Sequence, residues 1–278
     1  MSRLVIDEIW RIYLLGIWVD LLCVNKLTAL IDYLILNDAR NVFVGNHNTH
    51  SLFHYHKDRV FRRLYDERAA FVHIDGISIC VAGKLLGLPV SVQHRVCYLD
   101  WLEPLFSLCV QRGYRVFYLG GRPGVAERAA NNLKLRFNTL KINTHHGYFN
   151  MQGNENNEVV NFINEFRPHI LIVGMGMPRQ ERWIAMNIDR LTCNVILNAG
   201  GFFDYIAGET PTPPRYLGPL GLEWAFRALS EPRRLLPRYM RTHTYFALQL
   251  MRDICTRKRI GLTTIKVDQV LSRFGCVM

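Results

Sequence analysis

The chain has 278 residues, of which 49% are hydrophobic, and a formal net charge of +11. This length supports one substantial core with a small appended element rather than two full domains. Seven cysteines are scattered without a Cys-x-x-Cys pair, which indicates reduced thiols in a reducing compartment and argues against a zinc site. No apolar run reaches the ~18 residues that a membrane-spanning helix needs.

Along the chain, short β-rich segments alternate with segments whose apolar residues recur every three or four positions. A short apolar run at residues 12–19 comes first, and acidic residues flank it rather than the basic residues of a signal peptide. The predicted strands are residues 41–46, 70–75, 114–119, 140–143, 170–174 and 194–198. The predicted helices are residues 52–65, 77–86, 99–112, 125–137, 158–166 and 179–191. This order predicts an α/β fold with a Rossmann-like parallel sheet flanked by helices, which binds ligands at the carboxyl ends of its strands.

The pattern changes after Gly208. Three prolines between residues 211 and 214 break the chain, and residues 217–259 are typical of one or two amphipathic helices interrupted near Pro232 and Pro237. The predicted domains are a Rossmann-like catalytic core over residues 1–212 and a basic C-terminal helical appendage over residues 213–278. Residues 215–259 hold nine arginines and one lysine against three acids, so this positive charge is local and indicates an anionic partner at one place.

Two glycine-rich turns follow predicted strands. In VGMGMPRQERW, Gly174 and Gly176 precede a helix start that carries Gln180 and Glu181, where free backbone N–H groups and the helix dipole favour an anion. The segment LGGRPGVAER has a similar arrangement without the full nucleotide-binding fingerprint. A tight turn without a ligand is the more common explanation of such a segment, although a simple turn does not require an amide such as Gln180. The candidate ligand-binding residues here are Gly120, Gly121, Gly174, Gly176, Gln180 and Glu181.

Two aspartates stand at predicted strand ends. Asp75 ends an apolar strand in FVHIDGIS, so its carboxylate is a candidate general base in the crevice above the sheet. The alternative is that Asp75 caps the helix that begins at Ile77, and its position alone does not separate the two roles. Asp204 in GGFFDYIAG follows the last strand and is a weaker candidate for holding a sugar, because a turn-forming aspartate is common there.

Histidines cluster at positions 47, 50, 54 and 56, with spacings that suit a metal site on a helix. No carboxylate pair or cysteine completes such a site, so exposed or capping histidines are favoured. The chain also contains no Asp-x-Asp motif, which is the usual acidic binding motif for a divalent ion that bridges a nucleotide diphosphate. We therefore predict no metal site.

The basic tail interleaves aromatic and aliphatic residues with arginines between Trp224 and Phe246. A helix with this composition binds an anionic membrane surface. Stacking aromatics and arginines also suit RNA, and a domain helix that packs its apolar face on the core shows the same pattern. The pattern alone leaves these three interpretations open.

Several of these segments together resemble the WecG/TagA/CpsF family of glycosyltransferases. The stretches RPHILIVGMGMPRQERWI, NAGGFFDYIAG and EWAFRALSEPRRLLPRY follow the signatures of that family in order. Upstream, GYRVFYLGGRPGVAE, HRV at residues 94–96 and IDG at residues 74–76 extend the similarity, which covers roughly residues 15–246. Residues beyond that span are not informed by it.

The resemblance implies an inverting, metal-independent transfer of a hexose-type sugar from a UDP-sugar to a polyprenyl-diphosphate-linked saccharide. N-acetylmannosamine, its uronic acid and glucose are all compatible sugars, and the products are bacterial surface polysaccharides. It implies no cofactor, peripheral attachment to the anionic inner face of the plasma membrane, and self-association into a homo-oligomer. No nucleic acid is expected as a partner. The alternative from the residues alone is a non-catalytic nucleotide- or RNA-binding module.

The resemblance also implies residue roles. Asp75 matches the proposed base of the family, Arg95 an arginine near the active site, and Gln180 an amide that contacts substrate. Without a metal, positive side chains must stabilise the departing diphosphate. The tail arginines that match the family pattern, and that are expected to close over the nucleotide when the tail docks on a membrane, are Arg227, Arg234 and Arg238.

One segment departs from the family pattern. The family usually carries a Thr-x-Asn-Pro-Glu type sequence after the first strand of the sheet, whereas this chain has Asn46, His47, Asn48, Thr49 and His50. Asn46 therefore stands where threonine is common, and Asn48 matches the family asparagine. Because an amide can also hydrogen-bond a sugar hydroxyl, both residues remain site candidates, and the exchange at Asn46 predicts a change in donor preference.

Overall fold

A β-hairpin opens the part of the chain that the computed structural model describes, which is residues 7–257 and 259–274. Strands β1 (Glu8–Leu14) and β2 (Ile17–Asp20) are antiparallel, and Leu15 and Gly16 join them with φ angles of 54° and 73°. Positive φ at both positions suits the right-handed twist of a tight hairpin. The apolar run at residues 12–19 is therefore a strand pair whose buried side chains join the core.

The centre of the molecule is a sheet of six parallel strands, as the sequence predicts. Their spatial order is β4-β3-β8-β7-β5-β6. The strands are β3 (Val42–His47), β4 (Ala69–Ile74), β5 (Arg115–Gly120), β6 (Lys141–His145), β7 (Ile170–Gly174) and β8 (Val195–Asn198). Each lies within two residues of a predicted strand at both ends, so the α/β, Rossmann-like fold class is confirmed.

The strands of this sheet are apolar on both faces because two hydrophobic clusters enclose the sheet. Val42 and Val44 belong to one cluster, and Phe43, which lies between them, belongs to the other. Val116 and Phe117 divide in the same way. Burial on both faces explains why these strands are nearly continuous apolar runs rather than alternating ones.

Helices connect the strands and cover both faces. In the described residues they are α1 (Val24–Leu36), α2 (Thr49–Lys57), α3 (Arg59–Arg63), α4 (Ile77–Leu85), α5 (Tyr98–Arg112), α6 (Val125–Arg136), α7 (Asn154–Phe166), α8 (Arg179–Asn187), α9 (Phe202–Ile206), α10 (Glu223–Ser230), α11 (Pro232–Thr256) and α12 (Val267–Ser272). The predicted helix at 52–65 is divided at Asp58, whose side chain accepts hydrogen bonds from the backbone N–H groups of Val60 and Phe61 and so starts α3.

The C-terminal segment is tied to the core at its far end. Strand β9 (Gly261–Lys266) pairs with β1, and Val267, Val270 and Leu271 lie in the hydrophobic core. The predicted interruption at Pro232 is confirmed, since α11 begins there, but the one at Pro237 is wrong because α11 runs through that residue to Thr256. The later turns of α11 pack against α2, and this contact stabilises a helix that lacks one hydrogen bond.

The domain boundary near residue 212 stays a prediction. None of the helices within residues 7–257 and 259–274 combines the length and the apolar character needed to cross a membrane.

Candidate active site

A large cavity lies at the carboxyl ends of the parallel strands. Its volume is about 1730 Å³. Residues that follow β4, β5, β7 and β8 line it from below, among them Asp75, Gly121 and Gly200. Helices α10 and α11 lie over it and contribute Arg227 and Arg238. The predicted appendage and the predicted core thus line one cavity, at the edge of the sheet where ligands of such folds bind.

Glycines allow the strands to end side by side beneath this cavity. A Cβ atom on Gly120 would lie 2.3 Å from the carbonyl oxygen of Gly174, and one on Gly174 would lie 2.3 Å from the hydroxyl oxygen of Tyr118. Gly121 and Gly176 have φ angles of 70° and 79°, the left-handed region that other residues rarely adopt. Gly121, Gly174 and Gly176 line the cavity, whereas Gly120 supports it from behind.

A buried polar network forms the floor of the cavity; we call it the floor network and define it as Asn46, Tyr65, Gln180, Glu181 and Asn198. The Asn46 side-chain amide donates to the backbone and side-chain oxygens of Asn198, at 2.6 and 3.1 Å. The Asn198 amide donates to the Tyr65 hydroxyl at 3.0 Å and to Glu181 Oε1 at 2.9 Å. These bonds join β3, β8 and the first turn of α8, so they fix the positions of these strand ends beneath the cavity.

Gln180 is fully buried and does not line the cavity. Its carbonyl oxygen accepts hydrogen bonds from the backbone N–H groups of Gly176 and Gly200, both at 3.1 Å, while its amide donates to Glu181 Oε1 at 2.8 Å. The structure therefore uses this amide to hold two glycine turns, and it places Gln180 behind the surface that a substrate contacts.

Glu181 is likewise fully buried and lies beneath the cavity rather than in its wall. Burial raises the pKa of its carboxyl group to about 7, although hydrogen bonds from Gln180 and Asn198 act to lower it. Its second oxygen, Oε2, is buried without a hydrogen-bond partner among the described residues. Glu181 is thus a titratable group inside the floor network near neutral pH.

Asp75 projects into the cavity directly after β4. The side-chain amide of Asn48 donates to Asp75 Oδ2 at 2.9 Å, while Asn48 Oδ1 caps α2 by accepting from the backbone N–H groups of His50 and Ser51. The alternative that Asp75 caps α4 is wrong, since Gly76 occupies that position and α4 has no side-chain cap. The carboxylate is therefore half-buried, oriented by Asn48 and open to a ligand.

Arg95 lies in a ring of four ion-pairing side chains at one side of the cavity. Its guanidinium donates to Asp100 at 2.9 Å and to Glu223, the first residue of α10. Arg215 also pairs with both acids. Burial lowers the pKa of Arg95, but nearby groups including Cys97, Glu223 and Asp75 raise it by more, so the pKa lies above its ordinary value. Two carboxylates thus already neutralise this arginine and its neighbour.

The predicted arginines over the cavity differ in their partners. Arg227 and Arg238 form no ion pair within the described parts of the chain, and the Nε atom of each is buried without a hydrogen-bond partner. Their guanidinium groups lie 5.1 and 5.3 Å from the ring centroids of Tyr205 and Tyr239. Arg234, in contrast, donates to both carboxylate oxygens of Glu231, at 2.6 and 2.7 Å, and is exposed. All three line the cavity.

Asp204 lies in the short helix α9 and lines the cavity. Its backbone carbonyl accepts from Glu209 and Thr210, which closes the following loop. Burial raises the pKa of its side chain, and Arg234 acts in the opposite direction. The residue thus combines a backbone role in the turn with a carboxyl group that faces the cavity.

The histidine cluster is divided among separate environments. His47 is buried and bonded to Ser51, His56 bonds the carbonyl oxygen of Leu15, and His50 stacks edge-on against His54. Burial lowers the pKa of all four, to about 3 for His47 and His50. No group of three or more potential ligands arranged for a metal ion occurs among the residues that the structure describes.

Four participants in the site were not singled out from the sequence: Tyr65, Asn198, Arg179 and Glu223. Asn198 and Glu223 begin the motifs NAGGFFDYIAG and EWAFRALSEPRR, and that position was a usable signal. Arg179 lies in the PRQE segment; it lines the cavity and donates to the carbonyl oxygens of Gly147 and Phe149. Tyr65 comes from an irregular turn after α3, for which the sequence offers no comparable signal.

Comparison with known proteins gives a consistent picture. The model of the Glycosyl transferase WecG/TagA/CpsF family matches residues 12–260. Curated relatives from Staphylococcus aureus strains MW2, NCTC 8325 / PS 47 and COL carry the name N-acetylglucosaminyldiphosphoundecaprenol N-acetyl-beta-D-mannosaminyltransferase. Each is 26% identical over 226 residues, an alignment that covers 81% of this chain and 87% of the relative.

Proposed function

Because the chain belongs to the WecG/TagA/CpsF family of glycosyl transferases, we propose that it transfers N-acetylmannosamine from a UDP-sugar to N-acetylglucosamine carried on a polyprenyl diphosphate. The staphylococcal relatives carry this sugar, this acceptor and a β linkage in their name. An α-linked nucleotide sugar gives a β linkage by a single displacement, and this agrees with an inverting reaction.

The observation that carries the proposal is the position of Asp75. Its carboxylate is held by Asn48 at the wall of a cavity whose roof contains two unpaired arginines. In the proposed reaction Asp75 accepts the proton of the acceptor hydroxyl while that oxygen bonds to the anomeric carbon. The bond from this carbon to the diphosphate oxygen breaks on the opposite face, and UDP leaves with the electron pair.

We assign the stabilisation of the leaving group to side chains rather than to a divalent ion. The departing diphosphate gains negative charge, which fixed positive groups stabilise best in a partly desolvated site. Arg227 and Arg238 suit this role because no acid neutralises either of them in the described structure. Burial lowers the pKa of Arg227, but nearby groups, among them Tyr205 and Asp75, raise it by more, so the base and this cation lie in one electrostatic field.

We also assign α10 and α11 to an anionic membrane surface, at which the enzyme attaches peripherally. Leu229, Met240 and Met251 on these helices are 84%, 72% and 63% exposed. Arg233 and Arg241 on α11 are also exposed and form no ion pair among the described residues. Exposed apolar residues beside unpaired cations suit a surface that seeks lipid.

The test is a transfer assay with purified enzyme, a set of UDP-sugars and a short-chain N-acetylglucosamine diphosphate. UDP-N-acetylmannosamine is expected to support transfer in the presence of EDTA, with a β linkage in the NMR spectrum of the product. Asp75→Asn keeps the shape and the contact with Asn48 but removes the base, so kcat is expected to fall by about 10²–10⁴-fold. The matched control is Asp189→Asn, which removes only a surface ion pair with Arg68.

Three outcomes count against the proposal. Near-normal turnover by Asp75→Asn would remove this residue from the mechanism, and retention of the α configuration would exclude a single displacement. Loss of activity in EDTA that added Mg²⁺ restores would contradict the assignment of leaving-group stabilisation to the arginines.

A further inference from the structure

Helix α4 turns an apolar face outward at the edge of the cavity. Ile77, Val81 and Leu85 recur at intervals of four residues, so they form one stripe along the helix, about 12 Å long. Val81 is 48% exposed and Leu85 is 62% exposed, while Ile79, Cys80 and Ala82 face the core. An outward-facing stripe of this kind on a surface helix is unusual because that face is normally polar.

The stripe continues onto the segment that precedes α10. A Cβ atom placed on Gly221 would lie 3.4 Å from Cγ2 of Ile77, so the two segments are in contact. The neighbours of this glycine, Leu220 and Leu222, are 66% and 46% exposed. These side chains form one surface, which we call the apolar lip and define as Ile77, Val81, Leu85, Leu220 and Leu222.

The apolar lip is continuous with the cavity. Ile77, Val81 and Leu220 line the cavity as well as its rim, and α4 begins two residues after Asp75. Lys84 on the same helix also lines the cavity, is exposed, and forms no ion pair within residues 7–257 and 259–274. An unpaired cation therefore stands between the proposed base and the outer end of the lip.

The size of the cavity calls for more than one ligand. Pockets for single small ligands are typically about 300–1,000 Å³, whereas this cavity is about 1730 Å³. One part has glycine turns and unpaired arginines, which suit a nucleotide diphosphate. The part beyond Asp75 has the lip and Lys84, and these suit an anion attached to an aliphatic chain.

We propose that the apolar lip binds the first isoprene units of the acceptor lipid and that Lys84 contacts the acceptor diphosphate. This inference rests on the proposed function, since it places the acceptor sugar at Asp75. Asp75 precedes the first turn of α4 and Lys84 lies in its last turn, so the acceptor hydroxyl and the acceptor diphosphate are placed toward opposite ends of the helix. Val81, one turn before Lys84, and Leu85, directly after it, flank this cation with the apolar surface that contacts the hydrocarbon.

The experiment compares two acceptors in vesicle-free buffer, N-acetylglucosamine diphosphate esterified with methyl or with farnesyl, both below their aggregation concentrations. For the wild type, the KM of the farnesyl acceptor is expected to be lower. The double variant V81S/L85S is expected to raise the KM of the farnesyl acceptor about tenfold, because two aliphatic contacts are lost. The KM of the methyl acceptor and that of the UDP-sugar stay unchanged.

Two further variants separate charge from apolar contact. Lys84→Gln is expected to raise the KM of both acceptors severalfold, since both carry the diphosphate. Leu135→Ser is the matched control: Leu135 is 85% exposed on α6 and does not line the cavity, so both KM values stay at the wild-type level. All four substituted side chains are exposed, so the fold is expected to tolerate each change.

The outcomes distinguish this inference from the function on which it rests. A wild type that transfers to neither acceptor contradicts the proposed function. If the wild type uses both acceptors with equal KM, the inference about the apolar lip fails while the proposed function stands. If V81S/L85S lowers binding to anionic vesicles but leaves the KM of the farnesyl acceptor unchanged, the surface contacts the membrane rather than the acceptor chain, and the inference fails.

Discussion

The floor and the roof of the cavity differ in how their polar and charged side chains are paired. The floor network consists of amides, a phenol and one carboxyl group, all buried and joined by hydrogen bonds. The roof is made of arginines from α10 and α11, and two of them have no acidic partner in the described structure. Apart from Glu181 Oε2, the floor network pairs its polar side chains by hydrogen bonds, whereas the roof holds two arginines without an ion pair in the described structure.

This difference indicates that the floor and the roof have different roles. A satisfied buried network stabilises the fold and fixes geometry, whereas an unpaired cation at a cavity costs stability unless a ligand brings the opposite charge. Substitutions in the floor are therefore expected to change stability together with activity. Substitutions in the roof are expected to change activity with little loss of stability, and each prediction below tests one side of this comparison.

Among the residues of the floor and the roof, the largest effect is expected from Arg227. Arg227→Met keeps the aliphatic contact but removes the charge, and kcat is expected to fall about 10²–10³-fold, as when a single group that stabilises transition-state charge is lost. The free energy of unfolding is expected to change by no more than about 1 kcal/mol, because Arg227 forms no ion pair in the described structure and the substitution removes only its contact with the Tyr205 ring. Steady-state kinetics and urea denaturation of the same preparation check both parts.

Arg233→Met is the control for this change. Arg233 is an exposed cation on the same segment and does not line the cavity, so kcat in solution is expected to remain within twofold of the wild type. A comparable loss of kcat in both variants would mean that the net charge of the roof matters rather than the position of Arg227.

The second prediction concerns the buried carboxyl group of Glu181. Its pKa is raised from 4.5 in the unfolded chain to about 7 in the folded protein by burial. The folded state therefore binds more protons than the unfolded state between these values, and the contribution of Glu181 to stability falls as the pH rises from about 4.5 to 7. This loss is on the order of 3 kcal/mol.

Glu181→Gln removes the titration but keeps an oxygen that can accept from Gln180 and Asn198. The difference in unfolding free energy between variant and wild type is expected to change across pH 4.5–7 and to level off above it. Urea denaturation at a series of pH values measures this difference. A difference independent of pH would show that Glu181 titrates at its ordinary value and that water reaches Oε2.

The third prediction concerns the close approach of strands in the floor. Gly174→Ala places a Cβ atom 2.3 Å from the Tyr118 hydroxyl, and this ring cannot yield easily because it stacks on Phe203 with 3.5 Å between centroids. The expected loss is about 2 kcal/mol of unfolding free energy. Gly176→Ala is the matched control: it faces open space, so only its φ of 79° opposes the change, at about 1 kcal/mol. Equal losses would contradict the role of the contact.

The parallel sheet can be predicted from local sequence, whereas the pairing of the N-terminal hairpin with the C-terminal strand cannot. The six strands of the sheet can be recognised in the sequence because burial on both faces makes them apolar runs that end in small or polar residues. Strand β9, helix α1 and the hairpin of β1 and β2 do not follow from the sequence pattern, which shows only a short apolar run where the hairpin lies. Strand β9 is exposed or half-buried along its whole length and lies over 240 residues from its partner β1, so no local pattern reveals the pairing.

The candidate site divides in the same way. Asp75 and the glycine turns were predictable because they follow strands, and position relative to a strand fixes which edge of the sheet a residue reaches. Whether a polar side chain faces the cavity or the core depends on packing by other elements, so the sequence did not separate Gln180 from Asp75. Nor did it separate Arg234 from Arg227 and Arg238, because ion pairing is a property of the folded roof.

Arg234 supplies the smallest expected effect and the sharpest comparison within the roof. Since Glu231 already neutralises it at the surface, Arg234→Met is expected to lower kcat less than fivefold and to change the unfolding free energy by under about 1 kcal/mol. The double variant E231Q/R234M removes both charges and is expected to match the wild type more closely, since a lone Glu231 beside the diphosphate is avoided. Steady-state kinetics of the three proteins check this order. A loss as large as that of Arg227→Met would mean that Arg234 leaves Glu231 when the donor binds, so the pairing with Glu231 would not distinguish Arg234 from Arg227 in the reaction.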